Sequence, residues 1–288
     1  MGDNKALGNS GQKGEHTLYN LTKDMYLELL KKAILFEIWH EDAERYQPLT
    51  PDIQLHLPAE LMIQLRAQDL EVVKRFHPNR DVRRIGFDWP PVAHSMIGRV
   101  RMENLQQCMQ TVLNDNIEGD FVETGVWRGG ACIFMRGFLK VNGIQDRSVW
   151  VVDSFEGLPR PECAQDSGDI HHTFDFLKVS LEEVTENFRK YDLLDSQVRF
   201  LKGWFKDTLP SAPINKIAVL RFDGDMYGST MDCLYNLYPR VSKGGFIIID
   251  DYCLPNCAAA VNNFRNMHGI NDPMYLIEGC GCYWRKME

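Results

Sequence analysis

Four aspartates follow two apolar runs in the second half of the chain. Asp223 and Asp225 come just after one run, and Asp250 and Asp251 end the next. If the two runs are neighbouring parallel strands, their ends border the same crevice and the carboxylates converge there. Crowded carboxylates either raise their own pKa values or bind a divalent cation, and oxygen ligands without His or Cys suit Mg2+ or Ca2+. Alternatively, Asp225 caps the helix that follows it and Asp251 caps a turn.

A glycine-containing turn follows an earlier predicted strand, in the segment "FVETGVWRGG". It places Glu123 two residues before Gly125, and Gly129 and Gly130 complete it. A dinucleotide-binding turn has the spacing G-x-G-x-x-G and approaches a pyrophosphate, whereas a carboxylate in front of the turn repels phosphate. The turn suits instead a cofactor with a cationic amino-acid end, such as S-adenosylmethionine. The alternative is a glycine turn that only allows a helix to pack.

Two further strand ends favour a nucleoside cofactor. Asp153 closes the second predicted strand, where an acid can accept hydrogen bonds from both ribose hydroxyls. Alternatively, Asp153 or Ser154 caps a turn. The segment "FLKGWF" places Gly203 at a third strand end, where an adenine could lie against Trp204 or Phe205, although packing of these rings in the core explains the pattern equally well.

Together these patterns suggest methyl transfer to a hydroxyl group. A Mg2+ ion can exchange water ligands for a vicinal diol, polarise one hydroxyl and hold it in line with the methyl sulfonium. We expect Asp223, Asp250 and Asp251 to bind the metal. Asp225 lies just past its strand end, so we expect it to lean toward substrate and remove the proton as general base.

Residues 116–288 alternate short β-rich runs with helix-length segments, the pattern of a parallel α/β sheet. The last two runs, "PMYLIEG" and "CYWRKM", are too close for a crossover helix, so they should form an antiparallel edge hairpin. The expected fold is α/β, a Rossmann-like class I methyltransferase sheet that serves as the catalytic domain. Its five parallel strands are predicted in the segments "DFVETG", "SVWVVDSF", "VRFLKGWF", "IAVLRFD" and "GGFIIIDD".

The first part of the chain is predicted to be a helical layer. Residues 1–16 are polar and read as a disordered tail. Residues 17–115 should form the layer that carries substrate specificity. Its helices are predicted at 21–42 with Thr22 as N-cap, near 59–76, and at about 99–114.

Composition and charge restrict the classes of binding partner. The 288-residue chain has a net charge of -8 and no run of Lys or Arg, which argues against nucleic acid. It has neither a stretch of the roughly 20 apolar residues of a membrane span nor an apolar segment of a secretory signal, so we expect a cytoplasmic location. The eight cysteines are expected as reduced thiols. The spacings C-x3-C and C-x-C of the last four disfavour zinc.

Long ordered segments resemble the macrocin O-methyltransferase family, from about residue 24 onward. They include "FDWPPVAHSMIGRVRMENLQ", "FVETGVWRGGACIFMRGFL", "VVDSFEGLP" and "LRFDGDMYGSTMDCLYNLYPRVSKGGFIIIDDY". The resemblance implies S-adenosylmethionine and Mg2+ as cofactors, with Asp223, Asp250 and Asp251 as metal ligands and Asp225 as base. The cofactor contacts that it implies are Met96, Ile97, Glu123, Thr124, Gly125, Val126, Asp153, Ser154, Phe155, Gly203, Trp204 and Asp223.

The resemblance also implies a mobile segment after "DSFEGLP", here residues 160–178. Its mixed charge, Gly168 and the paired His171 and His172 fit a lid over the substrate, and a solvated loop is the alternative. Family members commonly pair through the N-terminal layer, so a homodimer or larger assembly is expected by resemblance.

Three functions remain open at this point. The first is a Mg2+-dependent O-methyltransferase of a sugar on a secondary metabolite. The second is an O-methyltransferase of a polyketide or phenolic hydroxyl, which would need an apolar pocket rather than a metal site. The third is a noncatalytic S-adenosylmethionine-binding protein, which would be expected to lack the four aspartates.

Overall fold

The main sheet of the protein has seven strands in the order β5-β4-β3-β6-β7-β9-β8. The computed structural model describes residues 9–39, 46–49, 57–75, 79–88, 90 and 92–288. The strands are β3 (Asp120–Thr124), β4 (Val149–Asp153), β5 (Val198–Lys202), β6 (Ile217–Phe222), β7 (Val241–Ile249), β8 (Met274–Leu276) and β9 (Cys282–Arg285).

Strands β3 to β7 run parallel, and β9 lies antiparallel between β7 and β8. Five parallel strands with an antiparallel edge hairpin were predicted, and this fold is confirmed. The chain moves from β3 outward to β5 and then returns to the other side of β3 as β6. The order therefore reverses beside β3, which places a crevice at the carboxyl ends of β3 and β6.

Helices cover both faces of the sheet because its buried strands are apolar on both sides. Phe121 and Val151 belong to one buried cluster with residues of α1, α4, α5 and α6, whereas Val122 and Leu220 belong to a second cluster with residues of α8 and α9. The helices are α1 (Asn9–Ile34), α2 (Ala59–Ala67), α3 (Arg80–Ile85), α4 (Gly98–Asn114), α5 (Gly130–Val141), α6 (Leu181–Lys190), α7 (Phe205–Thr208), α8 (Tyr227–Leu237) and α9 (Pro255–Met267).

The N-terminal layer differs from its predicted boundaries. Helix α1 begins at Asn9, so Thr22 lies inside it and is not its N-cap, and residues 9–16 are helical rather than a disordered tail. The helix also ends at Ile34, before the predicted end at 42. Residues 1–8 and 40–42 lie outside the described part of the chain. The polar start conceals the helix because its apolar periodicity begins only further along the chain.

The helical stretch predicted near 59–76 is confirmed only over its first half. Helix α2 ends at Ala67, Asp69 takes a left-handed conformation with a φ of 57°, and strand β2 (Val73–Arg75) follows. This strand pairs antiparallel with β1 (Tyr46–Pro48) in a separate two-stranded sheet. Pairing between distant short segments overrides local helix preference here.

One pair of cysteines departs from the expected reduced state. Cys253 and Cys280 form a disulfide, and the other six cysteines are free thiols. The pairing of β7 with β9 places Ile249 opposite Cys282, which brings the segment after β7 beside the segment before β9. In the part of the chain that the structure describes, the helices are too short or too polar to cross a bilayer.

Candidate active site

A cavity of about 430 Å³ opens at the carboxyl ends of β3, β4, β6 and β7. Loops after these strands form its floor, residues 157–177 contribute a wall, and Gly86 and Phe87 of the N-terminal layer line another part. The cavity-lining residues that were predicted from the sequence are Met96, Gly125, Asp153, Ser154, Trp204, Asp223, Asp225, Asp250 and Asp251.

Asp223, Asp250 and Asp251 converge as the strand-end pattern predicts. One carboxylate oxygen of each lies within 4.8 Å of the others, so a single cation could contact all three. Burial raises the pKa of Asp223 to about 6, with repulsion from Asp250 adding to the shift. Burial likewise raises the pKa of Asp251 well above its ordinary value. The donor set fits Mg2+, because a divalent cation would offset this repulsion and prefers oxygen ligands.

Arg221, which the residue patterns did not single out, lies at the centre of this cluster. Its guanidinium group contacts carboxylate oxygens of Glu123 and Asp250 and donates to Asp223 Oδ2 at 2.9 Å. Only 1% of its side chain is exposed. The single arginine in the apolar run "IAVLRF" was the sequence signal that could have identified it, because a buried charge requires partners of opposite charge.

Arg101 of α4 holds the same carboxylate from the other side. Its guanidinium group contacts the second oxygen of Asp250 and also donates to the carbonyl oxygens of Ile97 at 2.7 Å and Gly86 at 3.1 Å. Each oxygen of Asp250 therefore has its own arginine. Arg101 thereby connects the metal-site candidate to the N-terminal layer.

Asp225 lies beside the three converging acids, in a left-handed backbone conformation with a φ of 53°. Its N–H donates to Asp251 Oδ2 at 3.1 Å. Burial raises the pKa of Asp225 to about 7, and repulsion from Asp223 adds to the shift, whereas the charge of His171 opposes it. A carboxyl group with a pKa near neutrality is suited to exchanging a proton with a hydroxyl group.

The turn after β3 packs closely against the segments that follow β4 and β6. Gly125 has a φ of 77°, and a β-carbon built on it would lie 1.5 Å from the carbonyl oxygen of Asp223. Asp153 accepts hydrogen bonds from the N–H groups of Val126 and Phe155, each at 2.7 Å, so its carboxylate orders the loops on both sides. Burial raises the pKa of Asp153. Asp153 lines the cavity at the strand end where the sequence predicts the ribose.

Six residues predicted to contact the cofactor lie outside the cavity wall. Glu123 is the informative case: it is 2% exposed, pairs with Arg221 and accepts from the Cys132 thiol at 2.9 Å. Burial raises the pKa of Glu123 to about 7. Its charge is thus compensated inside the protein by arginine. The six are Ile97, Glu123, Thr124, Val126, Phe155 and Gly203.

Residues 160–178 fold into three short 3-10 turns at 164–166, 171–173 and 175–177. His171 lines the cavity, and its Nδ1 lies 3.0 Å from Asp169 Oδ2. The carbonyl oxygen of Phe176 accepts from Trp127 Nε1 at 2.8 Å. The capping role that was the alternative for Asp225 falls instead to Asp166, which accepts from the first amides of α8.

A parallel sheet in this order, with acids at the strand ends that face one cavity, defines a class I methyltransferase. The match is confirmed by the solved structure of the O-methyltransferase NovP, which has a TM-score of 0.78 and 44% identity over 92% of this chain and all of that chain. Residues 23–286 match the family model described as Macrocin-O-methyltransferase (TylF). The chain belongs to this family and is an O-methyltransferase.

Three curated relatives are similar over most of their length. The chain is 47% identical to 8-demethyl-8-(2,3-dimethoxy-alpha-L-rhamnosyl)-tetracenomycin-C 4'-O-methyltransferase of Streptomyces olivaceus, over 91% of this chain and 93% of the relative. It is 54% identical to demethyldecarbamoylnovobiocin O-methyltransferase of Streptomyces niveus (72% and 80%). It is 52% identical to mycinamicin III 3''-O-methyltransferase of Micromonospora griseorubida (72% and 84%).

Proposed function

We propose that this enzyme transfers the methyl group of S-adenosylmethionine to a hydroxyl of a deoxysugar on a natural-product scaffold, with Mg2+ bound at the strand-end acids. The observation that carries the proposal is the convergence of Asp223, Asp250 and Asp251 within 4.8 Å, beside Asp225, in one cavity. A noncatalytic binding protein would have no use for four such acids.

The cofactor side of the cavity suits a nucleoside. Asp153 and Trp204 both line the cavity, where the carboxylate of Asp153 would accept from ribose hydroxyls and the ring of Trp204 would stack on the adenine. Met96, Gly125 and Ser154 complete this wall. Glu123 would act indirectly, because its carboxylate holds Arg221, which in turn donates to Asp223 directly after β6.

The acceptor side suits a metal-bound hydroxyl. Asp223, Asp250 and Asp251 would hold Mg2+, which when bound supplies a positive charge that favours the deprotonated hydroxyl. Arg101 and Arg221 fix the orientation of Asp250. Asp225 takes the proton at its carboxylate oxygen, and residues 157–177 exclude water from one side of the cavity.

The substrate class follows from the relatives and the metal site together. The name of one relative places its methylation at the 4' position of a compound that carries a rhamnosyl group, and the name of another places it at a 3'' position. A sugar hydroxyl and the oxygen on the adjacent carbon can both reach a metal ion, whereas an isolated phenol offers one oxygen. A sugar on a secondary metabolite is therefore favoured over a polyketide or phenolic hydroxyl.

We expect the enzyme to act in the cytoplasm as a homodimer or larger assembly. Helix α1 supports the assembly, because it presents Leu21, Met25 and Leu29 at four-residue spacing and each is more than half exposed. Analytical ultracentrifugation tests it: Met25→Glu with Leu29→Glu should give monomers, and a monomeric wild-type protein would contradict the assembly.

Labelled S-adenosylmethionine tests the reaction. The acceptors are demethyldecarbamoylnovobiocin, mycinamicin III and 8-demethyl-8-(2,3-dimethoxy-alpha-L-rhamnosyl)-tetracenomycin C, and NMR locates the new methyl group. Transfer to a sugar hydroxyl that stops with EDTA and resumes with Mg2+ supports the proposal. Chelator-insensitive transfer, or transfer to a phenolic hydroxyl, would favour the second function.

A further inference from the structure

Asp166 closes the N-terminus of α8 directly after the proposed base. Its Oδ1 accepts from the N–H of Tyr227 at 2.7 Å and its Oδ2 accepts from the N–H of Gly228 at 2.9 Å. The residue at the N-cap position is Met226, whose side chain has no oxygen to accept such a bond. Asp166, which is 1% exposed and 61 residues away along the chain from Tyr227, supplies that cap.

The capped turn bears directly on Asp225. A left-handed conformation is disfavoured for a residue with a side chain and persists only when its surroundings hold it. On one side, the N–H of Asp225 is held by Asp251 Oδ2 at 3.1 Å. On the other side, Asp166 fixes the amides that begin two residues later. The direction of the Asp225 carboxylate therefore depends on both contacts.

The segment that carries Asp166 also carries His171. The N–H of Asp169 donates to the carbonyl oxygen of Asp166 at 3.0 Å, and the Asp169 carboxylate accepts from the backbone N–H of His171 at 2.8 Å. His171 lines the same cavity as Asp225. Asp166 thus anchors both sides of the space around the proposed base.

We propose that Asp166 is a positioning residue that acts through Asp225, by fixing the start of α8 and the segment that bears His171. The proposal rests on the proposed methyl transfer for its kinetic readout. Its structural readout, the protection of two amides, does not depend on the substrate.

Asp166→Asn tests it, because an amide has one acceptor oxygen and its NH2 group would face the second N–H donor. We expect hydrogen exchange at Tyr227 and Gly228 to become at least tenfold faster. Calorimetric affinity for S-adenosylhomocysteine should change less than threefold, and kcat should fall at least tenfold. Asp175→Asn is the matched control, since Asp175 is 91% exposed in the same segment and pairs only with the partly exposed Lys178 in the contacts described.

A double-mutant cycle decides whether the effect passes through Asp225. In an Asp225→Asn background, Asp166→Asn should lower residual single-turnover methylation less than twofold. A full tenfold loss in that background, or a wild-type kcat for Asp166→Asn, would overturn the proposal. If Asp166→Asn does not fold, Asp166→Ser serves with the same expectations. If the wild type methylates none of the three acceptors, the proposed function fails, and unchanged amide exchange would separately overturn the role of Asp166.

Discussion

Gly125 packs against the backbone of Asp223 so closely that a β-carbon on Gly125 would lie 1.5 Å from the Asp223 carbonyl oxygen. The turn after β3 and the segment after β6 are thereby fixed to each other. Gly125→Ala should lower the free energy of unfolding by about 3 kcal/mol or more, since left-handed strain costs about 1–2 kcal/mol and overpacking about 1–3 kcal/mol. Chemical denaturation measures it.

Gly143→Ala is the matched control for this substitution. Gly143 has a φ of 68°, close to that of Gly125, but its β-carbon would have no neighbour within 4 Å among the described residues. Gly143→Ala should therefore lower the free energy of unfolding only by the cost of backbone strain, about 1–2 kcal/mol. Equal losses in the two variants would contradict the packing argument.

Arg221→Met should be strongly destabilising. It removes the cation that faces buried carboxylates of Glu123 and Asp250, and a broken buried ion pair costs about 3–5 kcal/mol. Arg189→Met is the comparison, because the exposed pair of Arg189 with Glu186 contributes at most about 1 kcal/mol. Urea denaturation in metal-free buffer compares the free energies of unfolding of the two variants. Similar decreases in both would show that the carboxylate cluster does not depend on Arg221 for its stability.

Asp225→Asn should stabilise the metal-free protein at high pH. The pKa of Asp225 is raised by burial to about 7, above its ordinary value of 3.8. Its contribution to stability is therefore fully present below about pH 4 and is lost as the pH rises through about 7. Asparagine also tolerates the left-handed conformation.

Thermal unfolding from pH 5 to pH 8 measures this effect. The Tm advantage of Asp225→Asn over the wild type should grow across that range. Asp175→Asn, at a side chain that is 91% exposed, should show a constant difference from the wild type. A wild type that is the more stable protein at pH 8 would contradict a raised pKa of Asp225.

The disulfide between Cys253 and Cys280 closes a loop of 27 residues, which corresponds to about 3–4 kcal/mol of stabilisation. Replacement of both cysteines by Ser should lower the free energy of unfolding by that amount, and dithiothreitol should then have no further effect. Thiol titration of the denatured, unreduced wild type should count six thiols. A count of eight would contradict the pairing.

Strand-level organisation was predictable because periodicity and connection length are local properties. The runs that became β3 to β7 are short and apolar, and the close spacing of β8 and β9 allowed only a hairpin. The convergence of Asp223 with Asp250 followed from the same reasoning. Parallel neighbours bring their carboxyl ends to one edge.

Features that depend on distant partners were not predictable in this way. In the sequence, Arg221 is a single charged residue in an apolar run. Its ion pairs with Glu123 and Asp250 become apparent only in the folded structure. In the sequence, Asp166 resembles any polar loop residue. Its hydrogen bond with the start of α8 becomes apparent only in the folded structure. Cys253 meets Cys280 only because β9 pairs with β7. Each of these contacts joins residues that are distant in the chain, so local sequence patterns do not predict it.

The initial rate of label transfer as a function of Mg2+ concentration tests the central claim most directly. The chelator-treated wild type should be inactive, recover with Mg2+ and saturate, whereas Asp223→Asn should need at least tenfold more Mg2+ because one of three oxygen ligands is lost. A wild-type rate that is the same with EDTA as with Mg2+ would contradict a metal-dependent methyl transfer at these acids.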